Sequence, residues 1–171
     1  MACTREQLTV FLNNLLEPRR FRDYCPNGLQ VEGRGEVRHL VTGVTASQAL
    51  IEAAIERGAD AILVHHGYFW RSEDPCIVGI KAQRIRSLIA NDVNLFAYHL
   101  PLDWHAELGN NVTLGRLMGI ENPRPLDPLD TGTPIFVGHL TAPVRLQQLA
   151  RLLHERLKRA PMVIGEQAVS S

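Results

Sequence analysis

The chain mixes two hydrophobic periods, one helical and one of short unbroken apolar runs. From Leu8 a helical spacing runs through Phe11, Leu12, Leu15 and Leu16 and makes one apolar stripe. Thr4 with Gln7 ahead of it reads as a capping box, and Pro18 ends the helix. Residues 19–37 lose the period and are dense in turn formers, so they read as loop, with Asn27 and Gly28 as a tight turn. Residues 39–44 read as the first inner strand. Thr45 or Ser47 then caps a helix over 48–57, with Leu50, Ala53 and Ala54 inward, and Gly58 suits the left-handed position after it. Residues 61–64 are a short apolar run bounded by turn residues, too short for a helix, and read as a buried strand. A helix around 79–90 buries Ile85, Leu88 and Ile89, and 94–99 reads as the next strand. Asn110 or Asn111 caps a helix that carries Leu114, Leu117 and Met118 and ends at Gly119.

Strands that alternate with helices imply right-handed βαβ crossovers. The fold class is α/β: a parallel-sheet βαβ core followed by a second, incomplete α/β unit. The first α/β domain covers residues 1–122. Pro123, Pro125, Pro128 and Pro134 mark 123–134 as a linker. The second unit, 135–171, reads as a strand at 135–140, a helix at 144–157 with Leu146, Leu149, Ala150 and Leu153 inward, and a strand at 161–164. Two strands and one helix make a marginal core, so this unit reads as truncated.

Composition narrows the function. The 171 residues carry 18 basic and 18 acidic side chains, with no basic block of the kind a nucleic acid needs. No apolar run approaches a membrane span, and no signal-peptide core follows the first residues. Cys3, Cys25 and Cys76 are odd in number and far apart, which suits a reducing cytoplasm better than a disulfide framework.

The candidate chemistry lies at two strand ends. His65, His66 and Gly67 follow the run 61–64, while His99, Asp103 and His105 follow the run 94–98. Ligands bind at the C-terminal edge of parallel strands, and imidazole with carboxylate suits Zn, Mn, Fe or Ni. Neighbouring strand residues point to opposite faces, so His65 and His66 share a site only where the strand ends and turns, which Gly67 permits. Two adjacent imidazoles serve two metals more easily than one, and Asp103 can bridge two cations. The expectation is a dinuclear site in one cleft with His65, His66 and Asp103.

Four motifs extend this: Pro26-Asn-Gly-Leu-Gln-Val-Glu-Gly33, Val41-Thr-Gly-Val-Thr-Ala-Ser-Gln-Ala49, His65-His-Gly-Tyr-Phe-Trp70 and His99-Leu-Pro-Leu-Asp-Trp-His-Ala-Glu-Leu-Gly-Asn-Asn111. In this order they resemble the NIF-three-like family of dinuclear, hexameric proteins also labelled GTP cyclohydrolase I type 2 homologues, and the short bacterial members most. The resemblance implies two divalent ions, with His65 and His66 as ligands, one per metal, and Asp103 bridging. His99, His105 and Glu107 match positions that line the family's cavity, and they are the candidate catalytic side chains. A hexameric ring is implied as well. The family's remaining ligands, a His and a Glu one helical turn apart near the C-terminus, have no counterpart after residue 140. Ala106 stands where the family usually has proline.

Two functions follow. One is a metal-dependent hydrolase acting on a nucleotide-like or phosphate-bearing small molecule, with His99 or His105 moving protons. No phosphate-loop motif supports GTP ring opening specifically. The other is a metal-binding ring that acts as a scaffold or regulator through exposed apolar surface, for which 27–31 and 68–70 are candidates.

Overall fold

The computed structural model describes residues 2–165 and the backbone of 168–169. A short strand β1 (Cys3–Thr4) leads into helix α1 (Arg5–Leu16), whose capping box between Thr4 and Gln7 is formed. Only Leu12 and Leu16 of the stripe are buried; Phe11 and Leu15 are exposed. A single 3₁₀ turn, Pro18–Arg20, and an open segment follow. Strands β2 (Gly28–Val31) and β3 (Glu36–Val37) then appear where the sequence reads as loop. Next come β4 (Leu40–Thr45), α2 (Gln48–Glu56), β5 (Ala61–His66), α3 (Gly79–Ala90) and β6 (Asn94–Ala97). Ser47, not Thr45, caps α2, and Gly58 takes its left-handed conformation at φ 67°.

The sheet order is β2-β6-β5-β4. β4, β5 and β6 run parallel, as the alternation of strands and helices requires, while β2 joins antiparallel beside β6. β4 is therefore an edge strand rather than an inner one, which is why Val44 is exposed. β5 and β6 lie in the middle, and their near-continuous apolar runs reflect burial on both faces. One face packs Ile62, Val64, Leu95 and Ala97 with Ile51, Ala54, Ile85 and Leu88 of α2 and α3. The other packs Ala61, Phe96 and Tyr98 with Leu12 and Leu16 of α1. Period-two alternation along β5 and β6 deals these side chains to two cores. Burying each Leu, Ile or Val fully contributes about 1.5–3 kcal/mol. Ile89, expected inward, is exposed, whereas Ile51, which lay outside the expected inner set of α2, is completely buried.

Two buried polar groups stitch the opposite, N-terminal edge. Asn94 is completely buried and accepts from Gly33 N at 2.8 Å while donating to Arg34 O at 2.9 Å and Asp60 O at 3.0 Å. Asp60 accepts from the N–H groups of Arg38 and His39 and from the Arg34 guanidinium at 2.9 Å. Burial alone would raise the Asp60 carboxyl, but these donors outweigh it and hold it below the ordinary value.

Contacts divide the chain into two units, Met1–Leu102 and Asp103–Ser171, so the division falls well before the expected boundary at 122. The short helix α4 (Leu100–Trp104) crosses it. In the second unit, α5 (Asn110–Met118) is capped by Gly109 rather than by an Asn and ends at Gly119 with φ 78°. Its buried residues are Val112 and Gly115; Leu114 and Leu117 are exposed. Pro123 and Pro125, read as linker, lie in β7 (Ile120–Pro125), which pairs antiparallel with β8 (Phe136–Leu140) through a bulge between Glu121 and Arg124. A two-stranded ribbon has only edge strands, where proline is tolerated. β9 (Val144–Arg145) precedes α6 (Leu146–Leu157) and pairs with β10 (Ala168–Val169). The expected strand at 161–164 is irregular instead. None of the residues of α6 is buried.

Candidate metal centre

β5 delivers His65 and His66 at its C-terminal edge, and the strand runs through both, with His66 still paired to Thr45 of β4. Contrary to expectation, the strand has not yet turned at His66. The two rings nonetheless sit side by side, with centroids 4.3 Å apart and planes at 44°. Each reaches toward a different neighbouring strand. His65 Nδ1 lies 3.2 Å from the carbonyl oxygen of Tyr98, just past β6. His66 Nδ1 lies 3.2 Å from Thr45 Oγ1 at the end of β4.

Gly67 is needed for space rather than for a turn. Its φ is not among the positive ones, but a Cβ there would stand 2.1 Å from Gln30 Oε1 and 2.6 Å from Ala97 Cβ. Gln30 in turn holds both sides of Tyr68, accepting from its N–H at 2.7 Å and donating to its carbonyl at 3.1 Å. Beyond Tyr68 the chain is strained: Phe69 takes φ 66°, a left-handed conformation rare for an aromatic residue. The Glu73 carboxylate compensates by accepting the N–H groups of Phe69 and Trp70. Tyr68 is buried with its hydroxyl on Ala46 O, and 28–31 forms β2, so these residues are used in the fold, while Phe69 and Trp70 stay half-buried.

His99 completes the cluster. Its ring lies 4.9 Å from that of His65, 5.7 Å from that of His66 and 4.9 Å, edge to face, from Trp70. One ring nitrogen from each of His65, His66 and His99 lies within 4.8 Å of those of the other two. His99 Nδ1 donates to Asp23 Oδ1 at 2.8 Å. Burial alone would raise the Asp23 carboxyl, but hydrogen bonds from Asn27, His99, Leu100 and Tyr24 outweigh it and lower its pKa. Asp23 gave no signal in the sequence, since it sits in the turn-rich segment 76 residues before His99.

In all three histidines Nδ1 therefore faces a protein oxygen. Against the Tyr98 carbonyl and the Asp23 carboxylate, which only accept, a neutral His65 or His99 carries its proton on Nδ1 and its lone pair on Nε2, whereas the Thr45 hydroxyl can donate or accept and leaves His66 either tautomer. This is the outer-shell pattern of metal-ligating histidine, and imidazole suits Zn, Mn, Fe or Ni. The donor set fits a divalent ion. Asp103, His105 and Glu107 belong to the second unit. Asp103 Oδ1 accepts from Asn110 Nδ2 at 3.0 Å, and Asn111 Nδ2 donates to the Asp103 carbonyl. His105 Nδ1 accepts the N–H groups of Glu107 and Leu108, which puts its proton on Nε2, and the Glu107 side chain is exposed.

The model of the DUF34/NIF3 (NGG1p interacting factor 3) family matches residues 3–170. The chain belongs to that family. It is 49% identical over 164 residues to a Pseudomonas aeruginosa protein named GTP cyclohydrolase 1 type 2 homolog, covering 96% of this chain and 65% of that one. A Vibrio cholerae protein of the same name is 53% identical over 159 residues, covering 93% and 63%. Among solved structures, protein ybgI, described as of unknown function, matches with a TM-score of 0.86 and 47% identity over 94% of this chain and 63% of its own. TTHA1606 from Thermus thermophilus matches with a TM-score of 0.79 and 34% identity, covering 94% and 64%. This family member thus spans just under two thirds of the length of these relatives.

Proposed function

We propose that the chain carries the histidine-rich part of a dinuclear divalent-metal centre in a hydrolase acting on a nucleotide-like or phosphate-bearing substrate. The observation that carries this is the group of three imidazoles, each with Nδ1 against a protein oxygen. His65 and His66 would each hold one ion and Asp103 would bridge them, as the family resemblance implies. Divalent cations there would stabilise developing negative charge and acidify water. His105 and Glu107 would hold or move protons around the reacting group, and so would His99 through the same Nε2 that it can donate to an ion.

The substrate class has its own support. A cavity of about 440 Å³ opens beside His66, lined by Thr45, Trp70, Glu73 and Arg84 among others. Glu73 is balanced by Lys81 at 3.6 Å, whereas among the described residues no carboxylate pairs with Arg84, and its buried Nε has no hydrogen-bond partner. The net local charge is positive, and a phosphate would satisfy it. Trp70 offers a flat wall for a planar ring. The relatives' name, GTP cyclohydrolase 1 type 2 homolog, points to the same substrate class. A homo-oligomer, the hexameric ring of the resemblance, in the cytoplasm, completes the proposal. Among the described residues no helix is long and apolar enough to cross a membrane.

The test is metal-stripped protein reloaded with Zn or Mn and assayed against a panel of nucleotides and phosphodiesters. Turnover that disappears on chelation supports the hydrolase. Metal binding without turnover favours a ring scaffold, a reading supported by the exposed apolar row Ile77, Val78 and Ile80 at the start of α3.

A further inference from the structure

We propose that Asp23 is a positioning residue: it holds His99 in the Nδ1–H form and directs the Nε2 lone pair to the space shared with His65 and His66. This rests on the reading of that cluster as a donor site. The Asp23 side chain is 3% exposed, and both its oxygens are doubly loaded. Oδ1 accepts from His99 Nδ1 at 2.8 Å and from Tyr24 N at 2.6 Å. Oδ2 accepts from Asn27 Nδ2 and from Leu100 N, both at 2.8 Å.

An ionised carboxylate only accepts, so the proton between Asp23 and His99 belongs to the imidazole Nδ1. That choice leaves Nε2 as the lone-pair nitrogen. The position of the ring is fixed too. The His99 main-chain N–H donates to Asn27 Oδ1 at 2.7 Å, so residues 23 and 27 of one loop grip both the ring and the backbone of residue 99. Trp70 packs edge to face on the same ring at 4.9 Å. Arg71 ties the loop down again, its guanidinium donating to Asp23 O at 3.1 Å and its N–H to Tyr24 O at 2.7 Å. A buried carboxylate with every lone pair engaged and one imidazole among its partners is more than solvated surface charge. It resembles the outer partner that orients a ligating histidine and raises the basicity of its far nitrogen.

Asn27 supplies the control. It contacts the Asp23 carboxylate and the His99 backbone but not the ring, so its loss weakens the loop without choosing the tautomer. The experiment is a long-range proton–nitrogen NMR correlation on metal-free protein with labelled histidine, above neutral pH. Wild type and Asn27→Ala are expected to show His99 protonated at Nδ1, and Asp23→Ala to show a shift to the Nε2–H form. In a zinc titration Asp23→Ala should lose roughly 10–100-fold in affinity. Wild-type His99 in the Nε2–H form overturns the proposal even if Asp23→Ala fails to fold, as does an Asp23→Ala protein with an unchanged tautomer. Should wild type bind no zinc yet show the Asp23-dependent tautomer, the donor reading of the cluster falls and the positioning role stands.

Discussion

Gly67→Ala tests how the histidine pair is held. The added methyl would stand 2.6 Å from Ala97 Cβ, about 1 Å inside normal carbon contact. Ala97 has no side-chain freedom and lies on β6, inside the sheet between β2 and β5, so it cannot yield. The methyl would also stand 2.1 Å from Gln30 Oε1, displacing the acceptor of the Tyr68 N–H. Overpacking of this kind costs about 1–3 kcal/mol. The lost hydrogen bond at a buried tyrosine adds about 1 kcal/mol. A total of about 3 kcal/mol should lower the melting temperature by roughly 6–12 °C in a chain of this size. Thermal unfolding of metal-free protein by circular dichroism reads this directly. Ala97→Gly in the same chain should recover part of the loss, a favourable coupling between touching residues. A Gly67→Ala protein that melts within about 2 °C of wild type, or a double variant less stable than additivity allows, would refute the close-approach argument.

Asp60→Asn should cost about 3 kcal/mol, because one amide oxygen cannot serve the Arg38, His39 and Arg34 donors together; urea unfolding checks it. The Asp60 carboxyl is lowered in the folded protein, so its stabilisation is complete above the ordinary Asp value of 3.8 and fades as pH falls through the folded value. The acid limb of a stability–pH curve should therefore flatten in Asp60→Asn. Arg84→Gln should weaken binding of inorganic phosphate or a nucleotide about tenfold and leave zinc affinity unchanged, by calorimetry; a loss of zinc instead would put Arg84 in the wrong role. Asp103→Asn should weaken metal binding more than His105→Ala, because a bridging carboxylate contributes charge to both cations; equal losses in a metal titration would reverse the assignment.

The parallel core was legible because its signals are local and agree with one another. Short apolar runs, capping residues and Gly58 all point to the same strands and helices. β2 was not, since its four residues sit among turn formers and owe their conformation to pairing with β6. β7 was hidden by Pro123 and Pro125, which a two-stranded ribbon accepts. At the site, His65, His66 and His99 stood out by residue type and strand position. Their partners did not: Thr45 looked like a helix cap, and Asp23 like loop. Both are brought in by tertiary contacts that no local pattern encodes.

The most direct test is a Zn or Mn titration of the metal-free 171-residue chain, with bound metal counted per chain. Three of the family's ligands are too few to fill the coordination of two cations, since even one catalytic zinc usually takes three. The account predicts at most one tightly held ion, lost in the His65→Ala, His66→Ala double variant. Two tightly held ions per chain, or binding that survives loss of both histidines, would contradict it.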